Sequence, residues 1–491
     1  MAFQSAKFFV LLLGTLAFYY VVPAKAKNLV LLAAGIIFYA SAGPGYLALL
    51  GVAILLSYAG GLLLGRLQAG KGRRAVFIGI LVFLFGNLAA FKYYDALCTA
   101  LAKLPLFAGL PPLGLVAPLG ISFYTFTMTG YLIDVYLNSQ KPEKNLLRYA
   151  VFASFFPLIL SGPIERGNTL LPQLDGPRKF VYNDFAEGAS RMLWGFFKKF
   201  VVANMIGVAV DRVFADPELY TGPYLLMAAL LYSYQIYCDF SGYSDIAIGV
   251  GMTLGIRVRE NFARPFAARS FTEMWQRWHI SLTSWFRDYV FMPLRFAWRD
   301  SRWPKVTGAI ALSSIFLLSG LWHEAKMTYI VWGALNAVFM VVGKETMKKR
   351  RKLAKTNPLY KNKAVKAVLQ IAMVYLMFTA CHVFFRAASM SDAFYFYSHF
   401  ATGWLDALRA PGTVVATLKE LNIGRVFTLI VLGGGTLVQL IEWRAQLAGK
   451  TTGGWMQSQK LWVRLPLYYL MLLALAFYGV LGSSSFIYFQ F

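Results

Sequence analysis

The stretch VTGAIALSSIFLLSGLWHEAKMTYIVWGALNAVFMVVG, residues 306–343, holds two sixteen-residue apolar runs, 306–321 and 328–343, on either side of a short insert containing Trp322, His323, Glu324 and Lys326. A helix rises about 1.5 Å per residue, so sixteen residues cover roughly 24 Å of a hydrocarbon slab roughly 30 Å thick. The pair therefore predicts a helical hairpin in a bilayer. Its histidine falls inside the slab or close to its far edge, where ionisable side chains are costly and tend to be functional. The whole chain agrees: 491 residues, 58% hydrophobic and 14% charged, are too apolar for a soluble globular protein and too long for a single anchor.

Further apolar runs lie at 8–22, 29–42, 46–65, 75–91, 113–136, 149–162, 191–212, 222–238, 245–256, 364–385, 425–441 and 466–482. A full crossing needs roughly 20 residues, so several must be re-entrant or half-buried, with backbone ends satisfied by protein or by a wet cavity. The reading is an all-α polytopic membrane protein with about 11–14 transmembrane or re-entrant helices. It forms one domain over 1–491, with N-terminal helices over 1–112, a core over 113–343 and C-terminal helices over 344–491. The run 8–22 is read as an uncleaved first helix, because Lys7 alone is a weak basic start for a signal peptide.

The 48 Lys and Arg against 22 Asp and Glu sit in short clusters between apolar runs, which fits cytoplasmic loops better than nucleic-acid binding. Lys25, Lys27, Arg66, Lys71, Arg73 and Arg74 flank a hairpin with a Gly43-Pro44-Gly45 tip, and residues 344–363 carry nine basic residues and one acid. Counting helices between such loops predicts a bacterial cytoplasmic membrane protein with both termini outside the cytoplasm. Cys98, Cys238 and Cys381 lack ligand spacing and are read as packing residues.

Between 257 and 305, with ten basic and four acidic residues, lies the largest cytoplasmic element. Its centre, WQRWHISLTSWF (275–286), places Trp275, Trp278, His279, Leu282, Trp285 and Phe286 on one face of a predicted interfacial helix, with Arg277, Ser281, Ser284 and Asp288 largely elsewhere. Upstream, YSYQIYCDFSGYSDIAIG (232–249) breaks two apolar runs with Asp239, Ser241, Gly242, Ser244 and Asp245. Asp239 or Ser241 reads there as an N-cap, and such polar groups at an interrupted membrane helix also line cavities.

Burial favours an uncharged imidazole, and an uncharged His323 can act as a general base. The alternative is a histidine that bonds a carbonyl at a helix end, with Glu324 and Lys326 as a solvated tip. His279 beside tryptophans leans to a structural role on that ground alone, while His382 and His399, without acidic or histidine neighbours, are read as bystanders. No metal-ligand spacing, GxSxG elbow, P-loop or dinucleotide fingerprint is present.

The motifs WQRWHISLTSWFRDYVFMPL (275–294) and SGLWHEAKMTYIVWG (319–333) closely resemble the membrane-bound O-acyltransferase family, in the branch that contains the bacterial alginate O-acetylation membrane proteins. PLGISFYTFTMTGYLIDVY (118–136), FFPLILSGPIERGNTLLPQL (155–174), NFARPF (261–266), FFRA (384–387) and FIYFQF (486–491) extend the likeness over nearly the whole chain. The resemblance implies helices around a central tunnel, His323 as the catalytic histidine and His279 as the second histidine of the branch. Asp239, Trp275, Arg277, Ser281, Trp322 and Asn336 would line the tunnel or the donor site. Two positions depart from the branch: Glu324 replaces a usual glycine, and Asn336 replaces a further histidine. Glu324 either sets a carboxylate beside the base or points into solvent, with Lys326 two residues on to offset it.

The implied activity is acetyl transfer from cytoplasmic acetyl-CoA, a co-substrate rather than a bound cofactor, to a polysaccharide hydroxyl outside the membrane. An esterase-like partner in the periplasm or outside the cell would complete the transfer. D-alanyl transfer to teichoic acid from a carrier protein is the alternative cargo. A polysaccharide transporter or exporter is the alternative class, although no internal repeat supports it.

Overall fold

The computed structural model describes residues 3–102, 104, 111–356 and 360–480, so the terminal motif at 486–491 lies outside the described residues. Every regular element among the described residues is helical. Among the described residues, eight helices are long and apolar enough to cross a membrane: Pro44–Arg66, Lys71–Leu101, Tyr182–Ala215, Pro304–His323, Met327–Glu345, Lys363–Arg386, Arg425–Leu447 and Leu461–Tyr478, with Ala6–Val21 a shorter apolar helix. The chain is a multi-pass membrane protein. Its contacts group into two compact units, residues 1–192 with 246–260, and residues 193–245 with 261–491.

In the first unit, Lys27–Ala40 and Pro44–Arg66 form the expected hairpin, with Gly43 at φ 132° and Pro44 opening the second helix. Two of the cations assigned to cytoplasmic loops turn inward instead. Lys27 is buried and donates to the Arg178 carbonyl, and buried Arg73 donates to the carbonyls of Leu64 and Val135 at 3.0 and 3.2 Å and to Asn138 Oδ1 at 2.7 Å. A guanidinium with five N–H groups can satisfy several helix-end carbonyls at once, so Arg73 acts as a structural tie. The run 149–162 is not one helix: Leu146–Ser154 ends and residues 155–166 continue as irregular, buried backbone. This is the re-entrant kind of segment that short runs predicted, tolerated because protein surrounds it. Run 113–136 likewise becomes helical only from Ile121 to Tyr136.

The second unit contains the hairpin of 306–343, formed by helices Pro304–His323 and Met327–Glu345. Two glycines set how closely these helices approach. A Cβ on Gly320 would lie 2.3 Å from the Tyr329 carbonyl oxygen, and one on Gly333 would lie 2.5 Å from that of Phe316. Small residues at such crossings let membrane helices gain van der Waals contact that side chains would prevent. The interrupted helix expected at 239–245 does not exist, because Gly222–Thr253 is one continuous helix. Its polar residues need no break, since Asp239, Ser241 and Asp245 are matched by lysines and Ser244 by the Asn261 amide inside the unit.

Candidate functional site

His323 is the last residue of its helix and is only 4% exposed. Its ring is walled by aromatic side chains: centroids lie 4.7 Å away for Trp322, 4.9 Å for Phe385, 5.4 Å for Trp332 and 6.0 Å for Tyr329. These come from three helices, so the hairpin's end packs against Lys363–Arg386 around the imidazole. Glu324 ends outside this wall. Its carboxylate meets Lys326 Nζ at 2.8 Å, with the two side chains 30% and 53% exposed, so the polar tip neutralises itself.

The expected interfacial helix through 275–286 is broken at its histidine. Phe271–Arg277 and Ile280–Phe286 are separate helices, and His279 between them adopts left-handed backbone, φ 43° and ψ 53°. Trp275, Trp278, His279, Leu282, Trp285 and Phe286 are all buried in protein rather than set at headgroup level, and Ser281, expected off that face, is fully buried too. The break supplies what one straight helix lacked, because it turns His279 and Ser281 toward the same partner, Asn261. His279 Nδ1 lies 3.1 Å and Ser281 Oγ 2.9 Å from Asn261 Oδ1. Trp322 links the two histidines: its ring is 4.7 Å from His323 and 6.5 Å from His279. Burial pushes the His279 imidazolium pKa down to about 3, so the ring is neutral throughout the physiological range.

Asp239 lies inside the continuous helix Gly222–Thr253 and is not an N-cap. It is buried and paired with Lys199, while Lys198 lies 2.6 Å from Asp245, 3.1 Å from Glu442 and 2.9 Å from Ser241 Oγ. Tyr237 donates to the other Glu442 oxygen at 2.5 Å. Both lysines lie in a π-helical stretch, Phe197–Ala203, whose wider turn displays consecutive residues toward one side. Sequence reading missed Lys198, Lys199 and Glu442. Their signal was visible: two lysines inside the run 191–212 require partners in a membrane interior. Phe240, the neighbour of Asp239, packs edge-on against His279 at 4.7 Å.

The remaining residues divide. Trp275 packs on Phe316 and Trp332 at 5.1 and 5.9 Å, so it supports the histidine wall from behind. Arg277 is held by Glu273 at 2.6 Å on the same short helix. Asn336 is fully buried and donates to the Trp332 carbonyl at 2.8 Å, one turn from that wall. His382, expected to be a bystander, belongs to the cluster: it is buried, 5.5 Å from Phe385, 6.2 Å from Trp332 and 6.1 Å from Trp278. Its isolation in sequence concealed this, because its neighbours come from other helices. His399 stacks on Tyr395 at 3.9 Å. Cys98, Cys238 and Cys381 are buried and free. No cluster of possible metal ligands occurs among the described residues.

A cavity of about 760 Å³ opens in the same unit, lined by Arg269, Lys344, Arg350, Lys355 and Lys366 beside apolar Phe291, Leu312 and Met340. Glu273, its one acidic lining residue among the described residues, is the partner of Arg277.

Comparison with known proteins bears on this arrangement. The model of the membrane-bound O-acyltransferase family matches residues 138–390, a span that includes His279, His323 and His382. The chain is 35% identical to a probable alginate O-acetylase of Pseudomonas syringae pv. tomato over 85% of its own length and 80% of that protein's. It is 30% identical to a peptidoglycan O-acetyltransferase of Helicobacter pylori, covering 76% of this chain and 75% of that one. It is 34% identical to a teichoic acid D-alanyltransferase of Bacillus subtilis, over 47% of this chain and 60% of that protein. With a matched region spanning its histidines and relatives aligned over most of its length, the chain belongs to the membrane-bound O-acyltransferase family and is an O-acyltransferase.

Proposed function

We propose that the protein transfers an acetyl group from cytoplasmic acetyl-CoA for O-acetylation of a polysaccharide outside the bacterial cytoplasmic membrane. The observation that carries this reading is His323, buried at a helix end within four aromatic rings in a chain whose long alignments are to O-acetyl-transferring relatives. The imidazole takes the proton of the attacking hydroxyl while its oxygen bonds to the thioester carbonyl carbon. The carbon–sulfur bond then breaks, and the departing thiolate takes the proton back from His323. The aromatic wall keeps bulk water, the competing nucleophile, away from the thioester.

The basic cavity suits the donor's phosphates, since guanidinium and ammonium groups converge there beside apolar walls for the rest of the molecule. On this reading residues 344–363 face the cytoplasm and both termini lie outside it. An esterase-like partner outside the membrane carries the acetyl group onward to the polysaccharide, for which alginate is the first polymer to assay, given 35% identity to the Pseudomonas relative. The D-alanyl alternative rests on an alignment over 47% of the chain against 85% for the probable alginate O-acetylase.

The test is purified protein in detergent with radiolabelled acetyl-CoA, together with labelling of envelope polymers in intact cells. His323→Ala should insert and fold normally but lose acetyl transfer by at least about a hundredfold, the lower range for a general base. Wild-type turnover in His323→Ala would overturn the assignment. Labelling by an aminoacylated carrier protein but not by acetyl-CoA would move the substrate to D-alanine.

A further inference from the structure

The helices Ala6–Val21 and Lys27–Ala40 border an open groove of about 660 Å³ in the first unit. Its rims carry Val10, Phe18 and Ile37, all more than half exposed, whereas Thr15 and Ala34 at its base are buried. Gly14 and Ala33 also line it, and Lys7 stands at one end.

Three of these residues lack a reason inside the chain. A glycine within a helix destabilises it relative to alanine, and a membrane helix keeps one where another backbone comes close. On the neighbouring helix Gly35 has such a contact, since a Cβ there would lie 2.9 Å from the Ser154 carbonyl oxygen. A Cβ on Gly14 would meet nothing within 4 Å. Thr15 is 5% exposed and lines the groove, yet its hydroxyl has no hydrogen-bond partner among the described residues. Lys7 is exposed, and the sequence holds no acidic residue before Asp95.

A lipid accounts for the apolar rims, and its phosphate for Lys7. Its tail packs on any apolar side chain and offers no hydrogen bond, so Gly14 and Thr15 stay unexplained. A helix uses all three residues. The small side chains let its backbone approach, its polar side chains can bond the Thr15 hydroxyl, and a carboxylate at its end can pair with Lys7.

We propose that this groove seats one transmembrane helix of another membrane protein. The facing side of that helix carries small residues, a hydroxyl or amide side chain at the level of Thr15, and an acidic residue at the end beside Lys7. Nothing in this seat depends on the acyl-transfer chemistry, so either can fail without the other.

The test uses the purified full-length chain in phospholipid vesicles, with the photoreactive residue benzoylphenylalanine placed at Val10, at Ile37 or, as a control, at Leu473, an exposed position on Leu461–Tyr478. The probe is a synthetic single-span peptide of leucine with Gly, Ala and Ser at every fourth position of one face and Glu at one end. Its adduct at Val10 and Ile37 should exceed that at Leu473, and that of an all-leucine peptide, by at least about tenfold. Gly14→Ile fills the groove from a position whose Cβ has open space, and it should remove about nine-tenths of the adduct. Thr15→Val keeps the volume and should weaken capture about threefold, the worth of one hydrogen bond between membrane helices. Lys7→Glu should switch the preference from the Glu-ended peptide to a Lys-ended one.

Equal capture of the small-faced and all-leucine peptides overturns the seat, as does an undiminished adduct in Gly14→Ile. Adducts with phospholipid alone would give the groove to an acyl chain, and cross-linked dimers of the chain would give it to a second copy; both contradict the assignment. Should Gly14→Ile fail to fold, an unchanged preference for the Glu-ended peptide in Lys7→Glu, which alters only an exposed side chain, is the deciding contrary result.

Discussion

Replacing Lys198 with methionine removes an ammonium lying 2.6 Å from Asp245 and 3.1 Å from Glu442, with all three side chains less than a tenth exposed. Methionine fills a similar volume, so the change is mainly electrostatic. Two carboxylates that share one cation are then left in a protein interior that cannot solvate them, and breaking a buried pair in this way costs about 3–5 kcal/mol. The Tyr237 hydroxyl still donates to Glu442 and softens the loss there, which points to the lower half of that range.

At about 1.4 kcal/mol per tenfold, even 3 kcal/mol reduces the folded-to-unfolded ratio by more than about a hundredfold. The measurement is denaturant unfolding in detergent micelles, followed by tryptophan fluorescence. The control is the triple variant Lys198→Met, Asp245→Asn and Glu442→Gln, which removes the charges together and should recover most of the loss, because desolvation is relieved with the attraction. A Lys198→Met protein within about 0.5 kcal/mol of wild type would refute the argument, as would a triple variant no more stable than the single one.

Gly320→Ala should cost about 1–3 kcal/mol by forcing the hairpin apart, since its Cβ would lie 2.3 Å from a carbonyl oxygen. Normal thermal stability in detergent would show that the crossing tolerates more than the geometry allows. Acid should destabilise the wild type through His279. The unfolded ring takes a proton near its ordinary value of 6.5 while the folded ring resists until about 3, so stability is full above pH 6.5 and is lost as pH falls toward 3. Between pH 7 and pH 5 this amounts to about 2 kcal/mol, which His279→Gln should abolish; parallel pH profiles for the two proteins would contradict it.

The membrane class, the hairpin around His323 and the family were legible in sequence, because apolar run length and local motif are properties of neighbouring residues. Run length failed where partners decide. Residues 232–249 looked like a broken helix since four polar side chains interrupt the apolar pattern, yet lysines from a π-helical turn match Asp239, Ser241 and Asp245, Asn261 donates to Ser244, and the helix continues. Helical periodicity also misread 275–286, where a left-handed His279 divides what the pattern joined.

Sequence by itself therefore determined which segments enter the bilayer and which two histidines to inspect. Tertiary structure decided their chemistry. It closed Glu324 onto Lys326, brought His382 and Trp332 to the wall of His323, and set Asn261 against His279. The physical reason is that burial and hydrogen-bond direction belong to groups distant along the chain, and a protonation state follows from those groups rather than from the residue's own neighbours in sequence.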